Sequence, residues 1–246
     1  MNLSDKNIRE KEFHNKLQSR AKGRFEDIFY KAIYNSNEDF FNFLKLNSNN
    51  SVILDYGCGI GNSLKKVIKF NPKKIIGIDI SEISIDKAKK NSVINENIEL
   101  LVENCEKTKF KDNTFDIVYG TGILHHLNFD ICLRELKRIL KPRGSFLFIE
   151  PLGTNPLINL YRKLTPKSRS VDEHPLVGDD FDLIINKFSK IEIKYYGFLT
   201  LIFFPFYNSP KDSTIFNILK TIDQFLFKIK IFRKLAWSVL IIAEKD

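Results

Sequence analysis

A short apolar run that ends in three alternate glycines is the segment of this chain best suited to binding a ligand. It reads Val52-Ile53-Leu54-Asp55-Tyr56-Gly57-Cys58-Gly59-Ile60-Gly61. The apolar residues are typical of a buried parallel strand, and the glycines let the backbone turn sharply and approach a bound molecule. A helix predicted over 63–70 would direct its positive amino-terminal end at the loop. The segment therefore predicts a strand, a glycine loop and a helix around a ligand that carries a carboxylate or a phosphate.

Asp79, at the end of the next predicted strand, adds a second binding group. A strand, helix, strand unit would bring it to the same sheet edge as the loop, where its carboxylate can accept hydrogen bonds from both hydroxyls of a ribose. It could instead cap the helix predicted over 81–91, although Ser81 can do that alone. The glycine spacing differs from the G-x-G-x-x-G of dinucleotide enzymes. Asp55 before the loop suits a ligand that also carries an ammonium group.

The segment from Leu54 to Gly61 resembles the first motif of class I S-adenosylmethionine-dependent methyltransferases, in particular the type 11-like group. Later segments agree in the same order, so that the resemblance covers about residues 51–151. It implies a doubly wound α/β fold with a seven-stranded, mostly parallel sheet in the order 3-2-1-4-5-7-6. It also implies S-adenosyl-L-methionine as the methyl donor and S-adenosyl-L-homocysteine as the product.

The resemblance assigns the cofactor to residues at the ends of four strands. The glycines would hold the methionine and ribose portion, and Asp55 would face the ammonium group, as would Thr121 or the Gly120 carbonyl. Asn104 stands where the family commonly has Asp; its carbonyl can still accept a hydrogen bond from the adenine amino group. The predicted cofactor residues are Asp55, Tyr56, Gly57, Cys58, Gly59, Gly61, Asp79, Ile80, Asn104, Cys105, Gly120 and Thr121.

Histidines are the candidates for a general base, because an oxygen or nitrogen acceptor must lose a proton and imidazole titrates near neutral pH. His125 and His126 follow the fourth predicted strand, close to the methyl group in the resembled fold, and His174 lies in a long connection. These three are the predicted catalytic residues. Tyr161 and Glu150 are further candidates, and His14 and Tyr34 could line a cover over the cofactor.

We expect a single domain over 1–246, with a helical cover over 1–50, a cofactor-binding core over 51–151 and a substrate-side half over 152–246. Apolar residues recur at helical spacing from Glu10 to Leu46 and include Phe25 and Ile28. A helix over Phe129–Leu140 should end at Lys141-Pro142-Arg143-Gly144. The last elements are a helix over Asp179–Phe188 and strands over Ile191–Phe198 and Leu235–Ala243.

An insertion over 200–234, before the last strand, carries an apolar stripe among lysines and arginines. Four interpretations remain open: a lid over an apolar acceptor pocket, a contact with an anionic membrane, a dimer contact, or simple packing onto the domain. The stripe consists of Ile215, Ile218, Leu219, Ile222, Phe225, Leu226, Ile229 and Phe232.

Composition favours a globular protein with reduced thiols. The chain has 246 residues, a formal net charge of +9 and three widely spaced cysteines. The scattered basic residues suggest a solvated surface rather than a polyanion site. No cysteine or histidine cluster with metal-ligand spacing is evident, so no metal is expected. The amino terminus lacks an apolar leader, and the apolar runs are too short to span a membrane; we expect a cytoplasmic protein, with peripheral membrane contact through 200–234 left open.

These observations predict a methyltransferase that acts at oxygen or nitrogen of a small, apolar or lipid-like acceptor, in an oligomeric state that the sequence does not indicate. An RNA methyltransferase is a rival hypothesis that the positive charge favours, although the segment Gly120–His126 lacks the Asn-Pro-Pro-aromatic signature used on flipped bases. Two further hypotheses are a nicotinamide oxidoreductase and a non-catalytic protein that binds the cofactor.

Overall fold

A single seven-stranded sheet organises the chain. The computed structural model describes residues 3–19, 27–91, 96–166 and 169–246. The strand order is β3-β2-β1-β4-β5-β7-β6; β1 to β5 are parallel, whereas β7 is antiparallel to both of its neighbours. This confirms the predicted sheet. The strands are β1 Val52–Tyr56, β2 Lys74–Asp79, β3 Ile98–Val102, β4 Phe115–Thr121, β5 Leu140–Pro151, β6 Ser189–Tyr196 and β7 Ser238–Glu244.

Helices cover both faces of the sheet, which explains why its central strands are largely apolar. One face packs against α6 and α8 and the other against α3 and α4, and the two faces form separate hydrophobic cores. The helices are α1 Asp5–Ser19, α2 Asp27–Tyr30, α3 Tyr34–Asn47, α4 Leu64–Val67, α5 Glu82–Asn91, α6 Phe129–Ile139, α7 Pro156–Leu164, α8 Gly178–Ile185, α9 Leu199–Ile202, α10 Thr214–Leu226 and α11 Lys230–Arg233.

The strand order reverses between β1 and β4, because β2 and β3 lie on one side of β1 and β5 lies beyond β4. Ligands of open α/β sheets bind outside the carboxyl ends of the strands at such a switch point. The glycine loop follows β1 at this position, Asp79 ends β2 and Thr121 ends β4. The topology therefore brings together segments that are far apart in the sequence.

The amino-terminal segment is more broken than its periodicity predicted. In the described part of the expected helix from Glu10 to Leu46, α2 is followed by a 3-10 turn over Lys31–Ile33 and then by α3, and α1 covers the segment up to Ser19. Apolar periodicity cannot show these breaks, since a helix that changes direction can keep one buried face. Phe25 and the side chain of Ile28 lie outside the described residues.

The predicted boundaries near β5 and β7 also differ from the structure. The helix α6 ends at Ile139, within one residue of its predicted end, but the segment Lys141–Gly144 that follows it belongs to β5. Its backbone pairs with the chain beyond β7: the Arg143 N–H donates to the Lys245 carbonyl, and the Lys245 N–H donates to Gly144, both at 2.9 Å. At the other end, β7 begins at Ser238 rather than Leu235.

The insertion forms α9, a 3-10 turn over Phe204–Phe206, α10 and α11. On α10 the side chains of Phe216 and Asp223 face the protein, and the Asp223 carboxylate accepts hydrogen bonds from the N–H groups of Leu199 and Thr200 at 2.8 and 3.2 Å. Most residues of the apolar stripe point away from the domain, so the interpretation of simple packing is wrong for them. The outward stripe, exposed by 40–65%, is Ile215, Ile218, Ile222, Phe225 and Ile229.

None of the described helices is both long enough and apolar enough to cross a membrane.

Candidate active site

Two adjoining cavities lie at the carboxyl ends of β1, β2 and β4. The larger has a volume of about 880 Å³ and the smaller about 190 Å³. Gly57, Gly59 and Thr121 line both cavities, so the glycine loop separates two parts of one site. Helix α1 contributes His14 to both walls, and so lies over the site as a cover.

The glycine loop leaves open space toward the cavities. Gly59 has φ +52°, and a Cβ at this position would meet no atom within 4 Å. The glycine therefore leaves space that a bound molecule can occupy next to the backbone. The loop is held from outside by Asp79, whose Oδ2 accepts a hydrogen bond from the Gly59 N–H at 2.9 Å.

Asp79 lines the smaller cavity, and each of its carboxylate oxygens accepts one hydrogen bond from a backbone N–H group. Oδ1 accepts from the Ser81 N–H at 2.9 Å, whereas the cap of α5 comes from the Ser81 hydroxyl, which accepts from the Ser84 N–H at 3.0 Å. Each carboxylate oxygen has a second lone pair, so hydrogen bonds from a ligand remain available. Burial raises the pKa of Asp79, and the two backbone N–H groups oppose that shift.

Asp55 lies deeper and is 3% exposed. Its Oδ2 accepts a hydrogen bond from the Tyr119 hydroxyl at 3.0 Å. Burial raises the pKa of Asp55 to about 7, and the charge of Asp79 acts in the same direction. A carboxyl group that is half protonated near neutral pH gains its charge most readily beside a cation, and Asp55 lines the larger cavity where such a cation would lie.

Not all of the predicted cofactor residues face the cavities. Cys58 lines the larger one, and Ile80, Asn104 and Cys105 line the smaller one. The Asn104 carbonyl already accepts from the Glu106 N–H at 2.9 Å, which uses one of its two lone pairs. Three others line neither cavity and have structural surroundings: Tyr56 donates from its hydroxyl to the Cys105 carbonyl, Gly61 packs against Ala88, and Gly120 lies against the Tyr56 carbonyl.

His125 forms a buried pair with Glu150. The ring Nδ1 is 2.7 Å from Glu150 Oε2, and Oε1 accepts from the N–H groups of Ile123 and Leu124 at 2.9 and 2.8 Å. Because Glu150 is fully buried and acts as an acceptor, it holds the proton of His125 on Nδ1 and leaves the lone pair on Nε2. Both residues line the larger cavity, so the geometry orients an imidazole as a proton acceptor.

The structure separates the three predicted catalytic histidines. His126 lines both cavities. His174 lines neither: its side chain is 57% exposed and ion-paired with Asp180 at 3.3 Å, and only its backbone N–H reaches the site region, where it donates to the His125 carbonyl. Of the cover candidates, His14 lines both cavities, whereas Tyr34 packs against Phe216.

Glu10 lies at the site but was not predicted from the sequence as a site residue. Its Oε2 is 3.0 Å from His126 Nδ1 and 3.7 Å from His14 Nε2, so it links α1 to the segment after β4. The spacing of Glu10 and His14, one helical turn apart, places the two side chains on one face of α1 and could have indicated this pairing from the sequence. Two groups of potential metal ligands arise here by folding: Glu10, His14 and His126, and His125, His126 and Glu173.

The far end of the larger cavity is apolar. Its wall comes from α2, α7, α9 and the segment before β7, which are distant in the sequence. Ile158 and Leu201 form a small buried cluster there with partly buried aromatic rings. The apolar lining residues include Phe29, Leu157, Ile158, Leu201, Phe204 and Trp237.

Comparison with known proteins gives the class of the central domain. Residues 54–148 match the family described as a methyltransferase domain. The sheet order and the glycine loop at the switch point agree with this match, and both are consistent with the class I S-adenosylmethionine-dependent methyltransferases. The cofactor of this class is S-adenosyl-L-methionine, and the space beside Gly59 and the buried Asp55 and Asp79 carboxyl groups fit its ribose and ammonium group.

Curated relatives resemble the chain over about half of its length. A sterol 4-C-methyltransferase of Caenorhabditis elegans is 34% identical over 44% of this chain and 33% of the relative. A sterol 24-C-methyltransferase of Kluyveromyces lactis is 29% identical over 53% of this chain and 35% of the relative. The chain thus matches about a third of the length of these relatives.

A solved structure covers almost the whole fold. Geranyl diphosphate C-methyltransferase of Streptomyces coelicolor, in complex with Mg²⁺, geranyl diphosphate and S-adenosyl-L-homocysteine, aligns with a TM-score of 0.67 and 13% identity. The alignment covers 99% of this chain and 98% of that chain. At this identity the likeness shows that the two chains share a fold.

Replacement of Gly57 by alanine is expected to destabilise the protein by at least about 1–2 kcal/mol. Gly57 has φ +75°, a conformation that costs other residues about that much, and a Cβ would lie 2.6 Å from Ile123 Cγ1. Chemical denaturation measures the loss. Gly178→Ala is the matched control, since no atom lies within 4 Å of its added Cβ; an equal loss in both variants would contradict the steric explanation.

Proposed function

We propose that this chain transfers the methyl group of S-adenosyl-L-methionine to an oxygen or nitrogen of a small, apolar, lipid-like acceptor. The observation that carries the proposal is the larger cavity, which is polar at the glycine loop and apolar at α7 and α9. His125 lies on its wall with Nε2 free of the Glu150 bond. Relatives named for sterols and for geranyl diphosphate support an acceptor with a large apolar part.

Each part of the chain has a role in this proposal. Within residues 1–50, α1 forms the cover. Residues 51–151 bind the cofactor and 152–246 bind the acceptor, with 200–234 as the lid. When bound, the cofactor supplies an electrophilic methyl group on a sulfonium sulfur. The glycine loop holds its amino-acid and ribose portion, Asp79 accepts hydrogen bonds from the ribose hydroxyls, and Asp55 faces the ammonium group. His125 Nε2 accepts the proton that the acceptor loses, while the cavity walls align the acceptor and exclude water.

Two measurements test the proposal in sequence. Calorimetric titration with S-adenosyl-L-homocysteine should show one site with micromolar affinity. Transfer of a labelled methyl group to a panel of sterols, isoprenoids and fatty-acid derivatives should then identify the acceptor class. An absence of binding would remove the cofactor assignment, and binding followed by transfer only to polar molecules would remove the apolar acceptor.

Binding of S-adenosyl-L-homocysteine is expected to strengthen as pH rises from 6 to 8. The pKa of Asp55, raised by burial from 3.8 to about 7, leaves this group largely neutral at pH 6. An ammonium group binds the ionised form better, so below pH 7 binding must release a proton and weakens by up to about tenfold per pH unit. Titrations at three pH values measure this, and Asp55→Asn should flatten the profile. A steep profile in Asp55→Asn would assign the effect to another group.

The outward stripe supports contact with an anionic lipid surface. Ile218 and Phe225 are 55% and 65% exposed, and exposed Lys228, Lys230 and Lys234 lie beside them in the chain. Apolar side chains flanked by lysines favour binding at such a surface. Ile202, which lines the larger cavity and is 42% exposed, lies in the same insertion, so a lipid acceptor could enter from this side.

Sedimentation with phosphatidylglycerol vesicles is expected to remove wild-type protein from solution. The double variant Ile218→Asp/Phe225→Asp should lose most of this binding, whereas Leu46→Asp, at an 82% exposed apolar residue outside the insertion, should retain it. If the double variant instead converts a dimer to a monomer and vesicle binding is unchanged, the stripe is a contact between two copies of the chain.

A further inference from the structure

Two arginines lie on the wall of the mainly apolar cavity. Arg162, on α7, and Arg169, after the connection that follows α7, line the larger cavity together with Tyr161 and Glu173. The same cavity contains His125 and the aromatic residues Phe204 and Trp237. Guanidinium groups in such a wall are costly unless they have an anionic partner.

The partners of Arg162 do not include a carboxylate. Its Nη1 donates to the Leu152 carbonyl and to Asn159 Oδ1, both at 2.8 Å. In the described ranges, no Asp or Glu oxygen lies within 4.0 Å of this guanidinium. Burial and the positive charge of Arg169 together lower the pKa of Arg162 to about 10, and Glu173 opposes part of that shift. Among the described residues, the side chain is therefore hydrogen-bonded to neutral oxygens, and Glu173 offsets its charge only from a distance.

Arg169 has one weak ionic partner. Its Nε is 3.6 Å from Glu173 Oε2, its Nη1 donates to Thr165 Oγ1 at 3.1 Å, and its guanidinium lies 5.4 Å from the centre of the Tyr161 ring. Glu173 is thus the single acidic residue beside two arginines at this part of the described wall. The local charge is about +1 without a ligand.

We propose that Arg162 and Arg169 form a subsite for an anionic group on the acceptor, either a carboxylate or a phosphate. The inference rests on the proposed function, since it assigns a substrate class to the acceptor end of the same cavity. A guanidinium presents paired donors that match the oxygens of either group. The apolar wall around the arginines requires that the anionic group be attached to an apolar body, so the acceptor is an anionic amphiphile.

Binding of matched twelve-carbon probes tests this subsite. Dodecyl phosphate, dodecanoate and dodecanol, each below its critical micelle concentration, are titrated into protein saturated with S-adenosyl-L-homocysteine. We expect one of the anionic probes to bind at least tenfold more tightly than dodecanol, and the comparison of the two identifies the anionic group. Arg162→Gln should lower the affinity for the tighter anionic probe to a value close to that for dodecanol, and Arg169→Gln should also weaken binding of that probe.

Controls separate this subsite from other binding surfaces. Arg134→Gln, at an exposed arginine on α6 paired with Asp130, should leave probe binding unchanged. Cooperative thermal unfolding establishes that the arginine variants fold, and if Arg162→Gln does not fold, Arg169→Gln carries the test.

The outcomes distinguish the two proposals. Failure of S-adenosyl-L-homocysteine to bind overturns the proposed function itself. Normal cofactor binding with equal affinity for dodecanol and both anionic probes overturns the anionic subsite alone. Binding of inorganic phosphate as tightly as dodecyl phosphate would overturn the amphiphilic acceptor, because the apolar body would then contribute nothing.

Discussion

Replacement of His125 by alanine is expected to lower kcat by about 10²- to 10⁴-fold, the range that a positioned general base contributes. The variant loses the imidazole that Glu150 holds at 2.7 Å with its Nε2 lone pair available. Binding of S-adenosyl-L-homocysteine should stay within about twofold of wild type, because the His125 ring is held by Glu150 and the proposal assigns it to the acceptor rather than to the cofactor. Single-turnover methyl transfer to the acceptor from the panel measures the chemical step.

His174→Ala is the matched control for His125→Ala. His174 is another histidine close in space, but its ring is exposed and paired with Asp180. We expect kcat to be unchanged in this variant. A His125→Ala enzyme with wild-type kcat would exclude His125 as the base and would move the search to His126 or to an acceptor that needs no proton removed.

Replacement of Asp79 by alanine is expected to weaken binding of S-adenosyl-L-homocysteine by tenfold or more. The substitution removes a carboxylate that can accept hydrogen bonds from the ribose, and a hydrogen bond to a charged group contributes about 1.5–3 kcal/mol. It also releases the Gly59 and Ser81 N–H groups, each held at 2.9 Å, so the glycine loop loses a support. Calorimetric titration measures the affinity.

Asp86→Ala supplies the comparison for Asp79→Ala, because Asp86 is an exposed acidic residue on the helix that follows β2. The affinity of Asp86→Ala for S-adenosyl-L-homocysteine should equal that of wild type. Thermal unfolding of both variants without ligand shows how much of the loss of affinity in Asp79→Ala comes from a destabilised glycine loop. Unchanged affinity in Asp79→Ala would remove this residue from the site.

The central half of the fold follows from local sequence. β1, β2 and β3 are short, largely apolar runs bounded by polar or glycine residues. The loop could be located because closely spaced glycines after a buried strand have few other uses. The order of all seven strands came from the resemblance, since no local pattern specifies which strands become neighbours.

Contacts between distant segments account for the expectations that were wrong. The helix after β4 ends within one residue of its predicted end, but the segment Lys141–Gly144 that was expected only to stop it belongs to β5, because its backbone pairs with Lys245, about a hundred residues later. Of the four interpretations left open for the apolar stripe of the insertion, simple packing onto the domain is wrong for most of its residues, because α10 is anchored through Phe216 and Asp223 and leaves the outward stripe exposed.

Local sequence was enough to specify which segments form strands, where the ligand loop lies and which side chains can carry a proton. The meeting of these groups depends on how the chain packs. Packing placed Glu150 against His125 and left His174 outside the cavity, and it brought Glu10 to His126 and Arg162 beside Arg169 on an apolar wall. The physical reason is that strand periodicity and glycine loops are local properties of the chain, whereas a cavity is formed by side chains from distant segments that only the packing of helices on the sheet brings together.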